Sequence, residues 1–166
     1  MKPSVSIRPW RASDAIRLAH LGPRLSFRTL TSRFWTGMSL LPPTYLRSIE
    51  ARWPHDWDAV VAMRGDQLVG WAEYGRNSPG SPDADAAFCV TDAEQGQGIG
   101  TALMTALVAH AARAGITRLH ADIAANNAPA LHAWRNATRA LPASMVLGRE
   151  GYRGTIDVAA APSRAA

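Results

Sequence analysis

The segment Gln-Gly-Gln-Gly-Ile-Gly at residues 95–100 places three glycines within five residues, directly before a run of Ile, Leu, Met and Val at helical spacing. Glycine is unfavourable inside a helix but allows the backbone to approach another group closely. A strand, a glycine-rich turn and a helix N-terminus together direct several backbone N–H groups and the positive end of a helix dipole at one anion. The spacing therefore predicts a site for a phosphate or pyrophosphate.

Two common phosphate-binding loops fit this segment poorly. The loop of nucleoside triphosphatases ends in Gly-Lys-Ser/Thr, whereas Gly100 is followed by Thr101 and no lysine lies nearby. The dinucleotide-binding fingerprint Gly-x-Gly-x-x-Gly would place Thr101 at the third glycine, and only 65 residues follow it. Asp122 does lie about twenty residues further on, where that fingerprint expects an acid. A dinucleotide site therefore stays open as an alternative.

The histidines and the single cysteine show no spacing that is typical of metal or nucleophile chemistry. The five histidines do not form a His-Glu-x-x-His pattern or another ligand pattern, so no metal site is predicted. Cys89 lies in an apolar run with no histidine at a recognisable spacing. This context favours a buried core residue over a nucleophile.

Apolar alternation and turn residues predict a mixed α/β chain around the glycine loop. Gly65 and Asp66 separate two alternating runs, which is a typical β-hairpin signal. The strands before and after the helix that follows the loop are spaced for a right-handed parallel crossover. The predicted strands lie at 4–10, on both sides of the turn within 57–76, at 85–92 and 116–123, and in a closing antiparallel pair at 143–148 and 151–160.

The predicted helices begin at residues whose side chains accept hydrogen bonds from free backbone N–H groups. Ser13 or Asp14 is expected to cap the first helix, and Thr44 the third. Asn126 or Asn127 is expected to cap the last helix, which has a proline in its first turn. The predicted helices lie at 11–22, 24–36, 44–53, 98–113 and 126–140.

Length and composition indicate one globular domain. The chain has 166 residues, of which 47% are hydrophobic and 19% charged, and a chain of this length buries roughly 70% of its unfolded surface. We expect a single domain at 1–158 and a disordered tail at 159–166. No apolar stretch approaches the roughly 18 residues of a membrane span, and the first residues lack the apolar core of a signal peptide. The sequence therefore predicts a cytoplasmic protein that does not bind a membrane.

The positive charge is concentrated in the first third of the chain. The net charge is +5, and nine Lys and Arg residues precede residue 57 against three acids. A basic surface favours an anionic partner. The arginines are scattered singly, however, and no nucleic-acid-binding motif is present, so these charges are interpreted as solvated helix faces and nucleic-acid binding is not predicted.

The glycine loop matches the motif Arg/Gln-x-x-Gly-x-Gly/Ala, with the letters Gln95, Gly96, Gln97, Gly98, Ile99 and Gly100. In this spelling it resembles the loop that binds the pyrophosphate of acetyl-CoA in the Gcn5-related N-acetyltransferase (GNAT) family. The resemblance extends to about residue 136. It implies a central mixed, mostly antiparallel sheet of six or seven strands flanked by helices, with acetyl-CoA as cosubstrate and no metal. Thr101 and Asn127 are then expected to lie beside the cofactor, Asn127 at the start of the later CoA-side helix.

A second stretch is similar to one branch of this family. The letters SFRTLTSRF, from Ser26 to Phe34, resemble a helix Ser-x-x-Thr-Leu-x-x-Arg-Phe in the acetyltransferase domain of bacterial protein-lysine acetyltransferases. Members of the family tend to bind their acceptor near the segment 41–57, where Trp53 and Trp57 lie, with Trp35 close before it. The acceptor is thus expected to be an amine, either a protein lysine or a small molecule. Similar proteins are often homodimers.

The resemblance also implies roles for residues of the strand before the loop. The backbone of Phe88, Cys89 and Val90 corresponds to the strand that supplies a hydrogen-bond donor to the developing oxyanion. The base of the resembled branch is a glutamate, and its position falls on Asp85, which is one methylene shorter and is expected to act through a water molecule. Glu73 on the preceding strand is the reserve candidate for the base.

One expected catalytic group is missing from the sequence. Many members of the family protonate the departing thiolate from a tyrosine seven residues after the helix-capping asparagine, and here that position is Trp134. Indole is not a useful acid, but a thiol with a pKa near 8.5 leaves tolerably without help. Two functions therefore follow from the sequence. One is an N-acetyltransferase that works by direct attack of a primary amine on acetyl-CoA, and the alternative is a non-catalytic module that binds or senses acyl-CoA.

Overall fold

A seven-stranded sheet forms the centre of the part of the chain described by the computed structural model, residues 4–35 and 37–160. The strands follow the spatial order β1-β2-β3-β4-β5-β7-β6, and only β4 and β5 are parallel neighbours. The predicted mixed, mostly antiparallel sheet is thereby confirmed. The strands are β1 Val5–Pro9, β2 Trp57–Arg64, β3 Gln67–Arg76, β4 Asp83–Val90, β5 Arg118–Ala124, β6 Ala143–Leu147 and β7 Gly151–Asp157.

Helices cover both faces of the sheet. One apolar core lies between the sheet and the helices α4 and α5, and the other lies between the sheet and the helices α1 to α3. The second core includes the edge-to-face pair Trp10 and Trp57, whose ring centroids are 5.2 Å apart. The helices are α1 Asp14–Ala19, α2 Phe27–Phe34, α3 Pro43–Arg52, α4 Ile99–Arg113 and α5 Ala128–Thr138.

Most predicted elements are present, but several helix starts differ from the prediction. Thr44 does not cap α3, because the helix begins one residue earlier at Pro43, whose fixed φ and missing N–H suit the first turn. Ser13 makes no side-chain cap, and Asp14 instead accepts the N–H of Arg11 at 2.9 Å. Asn127 does cap α5, because its Oδ1 accepts the N–H of Ala130 at 3.2 Å. The predicted tail falls mainly on residues 161–166, which lie outside the described residues.

The parallel pair β4 and β5 opens after a short stretch of pairing. Its register joins only Asp83 to Arg118, Ala84 to Leu119 and Asp85 to His120, and both strands continue beyond these pairs. The helix α4 connects the two strands, as the sequence predicted. The sheet therefore has a gap at its centre, with the glycine loop at the end of β4.

Candidate active site

The glycine loop has a backbone that only glycine adopts without strain. Gly96 and Gly98 have φ values of +76° and +78°, and Gly98 precedes the first residue of α4. A Cβ atom added at either position would meet nothing within 4 Å, so open space lies beside the loop. The loop thus offers free space and the N-terminus of a 15-residue helix to an anion.

Side chains within the protein hold the loop in this shape. Arg64 on β2 donates to Glu94 Oε2 at 2.6 Å and to Gln97 Oε1 at 3.0 Å, and Gln97 Nε2 donates back to Glu94 at 3.1 Å. Gln95 Nε2 donates to the carbonyl of Val90 at 3.0 Å. The side-chain amides of both motif glutamines therefore bond to the protein itself, which leaves the backbone of the loop to bind a ligand.

Alternate residues of β4 turn their backbone groups toward the gap. The N–H of Thr91 donates to the carbonyl of Val69 on β3 at 2.9 Å. Because backbone groups alternate in direction along a strand, the N–H of Cys89 also points toward β3, whereas those of Phe88 and Val90 point away from it. The structure thus brings Phe88 and Val90 to the gap, but not the backbone N–H of Cys89.

The Cys89 side chain is part of the apolar core on the α1–α3 face. It is 5% exposed, and burial raises the pKa of its thiol to about 12. A thiol with so high a pKa is almost fully protonated at neutral pH and is a weak nucleophile. The location of Cys89 thus agrees with the core role inferred from the sequence.

The other residues expected beside the cofactor lie at the starts of α4 and α5. A Cβ atom added at Gly100 would lie 3.1 Å from the Phe88 ring and 3.5 Å from Ala133 Cβ, so this glycine lets α4 approach β4 and α5. Ile99 is buried in the core. Thr101 is half-buried in the first turn of α4, while the Asn127 side chain is committed to capping α5.

Asp85 lies on the opposite face of the sheet, at the point where β4 and β5 separate. Its side chain is 58% exposed and accepts a hydrogen bond from Arg153 Nη2 at 3.1 Å. The other end of the same guanidinium donates to Asp122 Oδ2 on β5 at 2.6 Å. A single arginine from β7 therefore bridges two carboxylates across the gap. No sequence motif points to Arg153, because only the pairing of β7 with β5 brings it beside Asp85 and Asp122.

Glu73 lies on the same face as Asp85 but is buried in a hydrogen-bonded cluster. It is 6% exposed and accepts hydrogen bonds from Arg33, from the Tyr45 hydroxyl at 2.5 Å and from Trp57 Nε1 at 2.8 Å. Burial raises the pKa of Tyr45 to about 12, so its hydroxyl stays a donor at neutral pH. Three donors thus occupy the carboxylate, which leaves Glu73 less free than Asp85 to take a proton from a substrate.

Two cavities lie beside the Asp85–Arg153 pair on this face. The first has a volume of about 580 Å³ and is lined by residues that include Tyr45, Trp57 and Asp85. The second has a volume of about 550 Å³, and its lining includes Trp35 and Arg153. The Asp85–Arg153 pair stands where the two cavities adjoin. Trp57 therefore lines the cavity that Asp85 borders, and Trp35 lines the cavity that Arg153 borders.

Trp134 lies in the core and does not point into either cavity. It is 2% exposed, and its ring packs against β7 at Gly154, where an added Cβ would lie no more than 2.9 Å from three ring atoms. This side chain offers no acid to the gap, as expected from its identity. Among the described residues, no group of three or more His, Cys, Asp or Glu side chains could hold a metal ion. No helix in that part of the chain is both long and apolar enough to cross a membrane.

The chain is similar in sequence to known proteins. Residues 25–137 match the model of the acetyltransferase (GNAT) family. Mycothiol acetyltransferase from Brachybacterium faecium is 32% identical over 95 residues, which represent 53% of this chain and 29% of that protein. The chain therefore spans less than a third of the length of this curated relative.

Solved structures share the fold. The GNAT domain of PAT from S. lividans has a TM-score of 0.80 with 23% identity, covering 92% of this chain and 90% of that one. The protein yncA from Salmonella typhimurium, solved with acetyl-CoA, has a TM-score of 0.70 with 18% identity, covering 98% of this chain and 99% of that one. The resemblance noted in the sequence is thereby confirmed, and the chain belongs to the acetyltransferase (GNAT) family.

Proposed function

We propose that this protein transfers an acetyl group from acetyl-CoA to a primary amine by direct attack, with Asp85 as the base. The observation that carries the proposal is the gap between β4 and β5. The glycine loop and the Phe88 and Val90 amides border this gap on one side. Asp85 stands at its other side, between two cavities. Donor and acceptor would thus meet from opposite faces of the sheet.

The donor side is suited to a pyrophosphate and a thioester. The backbone of Gly96 and Gly98 and the start of α4 would hold the pyrophosphate, since open space and N–H groups coincide there. Acetyl-CoA supplies the acetyl group as an activated thioester. The N–H groups of Phe88 and Val90 face the gap, and they would donate to the carbonyl oxygen as it gains negative charge.

The acceptor side must provide a neutral amine. As the amine nitrogen attacks, its bond to the acetyl carbon forms, the carbon–sulfur bond breaks and the amine loses one proton. Asp85 would accept this proton, through a water molecule because its side chain is one methylene shorter than a glutamate. Arg153 would have to share its hydrogen bonds with the incoming acceptor, since it now bridges Asp85 and Asp122.

The test is the substitution Asp85→Asn, with Asp122→Asn as the matched control. Both carboxylates bond to Arg153 and have side-chain exposures of 58% and 56%, so both variants lose the same kind of ion pair. We expect Asp85→Asn to lower kcat at least about tenfold near neutral pH and to change the Kd of acetyl-CoA little. Asp122→Asn should keep most of the activity. Equal activity of the Asp85 variant and the wild type would move the proposal to Glu73, which Glu73→Gln would examine.

A second candidate is a non-catalytic module that binds or senses acyl-CoA. Two observations favour it: Trp134 stands where a general acid is common in the family, and Arg153 forms an ion pair with Asp85. Thiol release from acetyl-CoA with a panel of lysine peptides and small amines separates the two functions. Saturable CoA binding without turnover on any amine would establish the module, while turnover on one class of amine would identify the acceptor.

A further inference from the structure

A cluster of polar side chains joins the N-terminus of α2 to the glycine loop. Its members are Ser26, Thr29, Asp92 and Gln95, called here the α2–loop cluster. Asp92 accepts the N–H of Ser26 at 2.8 Å, the Ser26 hydroxyl at 2.7 Å and the Thr29 hydroxyl at 3.0 Å. Gln95 Nε2 donates to the Thr29 hydroxyl at 3.2 Å. Side chains more than 60 residues apart in sequence are therefore tied directly together.

The carboxylate in this cluster is held in its charged form. Burial alone would raise the pKa of Asp92, but the hydrogen bonds from Ser26 and Thr29 lower it below its ordinary value. Asp92 thus remains an acceptor for all three donors at neutral pH. Ser26 in addition caps α2, because its hydroxyl accepts the N–H of Thr29 at 3.2 Å.

The other end of α2 forms part of the proposed acceptor site. Arg33 bonds to Glu73 and lines the first cavity. Phe34 packs edge-to-face on Tyr45 with ring centroids 5.0 Å apart. Trp35 ends the helix with a φ of +57° and lines the second cavity. Eight residues of helix, about 12 Å long, therefore run from the glycine loop to both cavities.

We propose that the α2–loop cluster positions α2 against the glycine loop. Acyl-CoA bound by the loop thereby fixes the position of the C-terminal end of α2, which forms part of the proposed acceptor site. Gln95 carries the coupling, because the same side-chain amide bonds to Val90 at the edge of the gap and to Thr29 on α2. The inference deepens the proposed function and rests on it. It also accounts for the five residues that match the motif Ser-x-x-Thr-Leu-x-x-Arg-Phe. Ser26 and Thr29 anchor one end to the loop, Leu30 is buried, and Arg33 and Phe34 reach the acceptor side.

The test is Thr29→Val, with Thr29→Ser as the conservative variant. Valine keeps the shape of threonine but removes the hydroxyl that bonds to Asp92 and Gln95, whereas serine keeps the hydroxyl. We expect Thr29→Val to raise the KM of the amine acceptor at least about fivefold, with the Kd of acetyl-CoA changed less than about twofold. Thr29→Ser should restore the wild-type KM. Thr117→Val, at an exposed position before β5, controls for loss of a threonine hydroxyl elsewhere.

A second measurement does not need turnover. Hydrogen exchange of the α2 amides is followed with and without coenzyme A in the wild type and in Thr29→Val. We expect coenzyme A to slow the exchange of α2 in the wild type and to have little effect on α2 in the valine variant. An unchanged acceptor KM, a parallel loss of acetyl-CoA affinity, or equal protection of α2 in both proteins would each overturn the inference. Protection of α2 by coenzyme A in the wild type but not in Thr29→Val, together with no turnover on any amine, would support the inference and reject the proposed transferase.

Discussion

Gly98 offers the sharpest test of where the cofactor binds. This glycine has a φ of +78° at the start of α4, and an added Cβ would meet nothing within 4 Å. Gly115 follows the last turn of the same helix with a φ of +77°, and its added Cβ also meets nothing. The two glycines therefore differ in position but share a positive φ and free space around the added Cβ. Substitution of each by the same residue separates ligand effects from folding effects.

The size of the folding effect follows from backbone strain. A residue with a Cβ costs roughly 1 kcal/mol or somewhat more in the left-handed region. Gly98→Ala and Gly115→Ala should each lose about 1 kcal/mol, which corresponds to about 3 °C in Tm for a domain of this size. Neither variant introduces a clash, since both sites are open.

The binding effect should appear at Gly98 only. A tryptophan at this position would fill the space that the pyrophosphate needs beside the loop. We expect Gly98→Trp to weaken the binding of coenzyme A at least about hundredfold, or about 2.7 kcal/mol. Gly115→Trp should leave the affinity within about twofold of the wild type, because it lies at the far end of α4.

Titration calorimetry with coenzyme A and thermal unfolding measure the two effects separately. The four variants are compared with the wild type at one ionic strength, since the ligand is an anion. Retained affinity in Gly98→Trp would refute the placement of the cofactor at this loop. An equal loss of affinity in Gly115→Trp would show that the binding change comes from the fold and not from the site.

Two further predictions concern stability. Gly154→Ala should lower the free energy of unfolding by about 3 kcal/mol in urea titrations, because its Cβ would overlap the buried Trp134 ring. Gly148→Ala should cost much less, because the nearest contact of its added Cβ is at 3.6 Å, and similar costs in the two variants would contradict the packing argument. Asp14→Asn should cost about 3 kcal/mol near neutral pH, because Arg8 bonds to both oxygens of this buried carboxylate at 2.7 and 2.8 Å. Burial alone would raise the pKa of Asp14, but the hydrogen bonds from Arg8 and from a backbone N–H bring this pKa below 3.8. The stabilisation by the charged carboxylate is therefore present above pH 3.8 and is lost as the pH falls through the lowered pKa. A difference between wild type and variant that stays constant down to pH 2 would contradict this assignment.

The features predicted best from the sequence are local ones. The β2–β3 turn at Gly65, the glycine loop and the capping of α5 by Asn127 each depend on the backbone preferences of a few consecutive residues. Such preferences act whatever the rest of the chain does. The start of α3 depends on preferences of the same kind, because Pro43 and Thr44 both favour a helix N-terminus and the helix begins at Pro43.

The environments of the two candidate bases required the tertiary structure. The family resemblance points to Asp85 as a base, but its partner Arg153 is 68 residues away and reaches it only through the register of β7 on β5. Glu73 showed no sign in sequence of the three donors that surround it, because Arg33, Tyr45 and Trp57 come from three different elements.

By itself, the sequence predicted an anion site at a glycine loop followed by a helix, and it showed the resemblance to the acetyltransferase family. Only the tertiary structure decided that Asp85 is exposed at the gap while Glu73 is buried, and that Thr29 touches the loop. The physical reason is that loop conformation depends on neighbouring residues. Burial and ion pairing depend instead on which distant side chains the sheet and helices bring within a few ångströms.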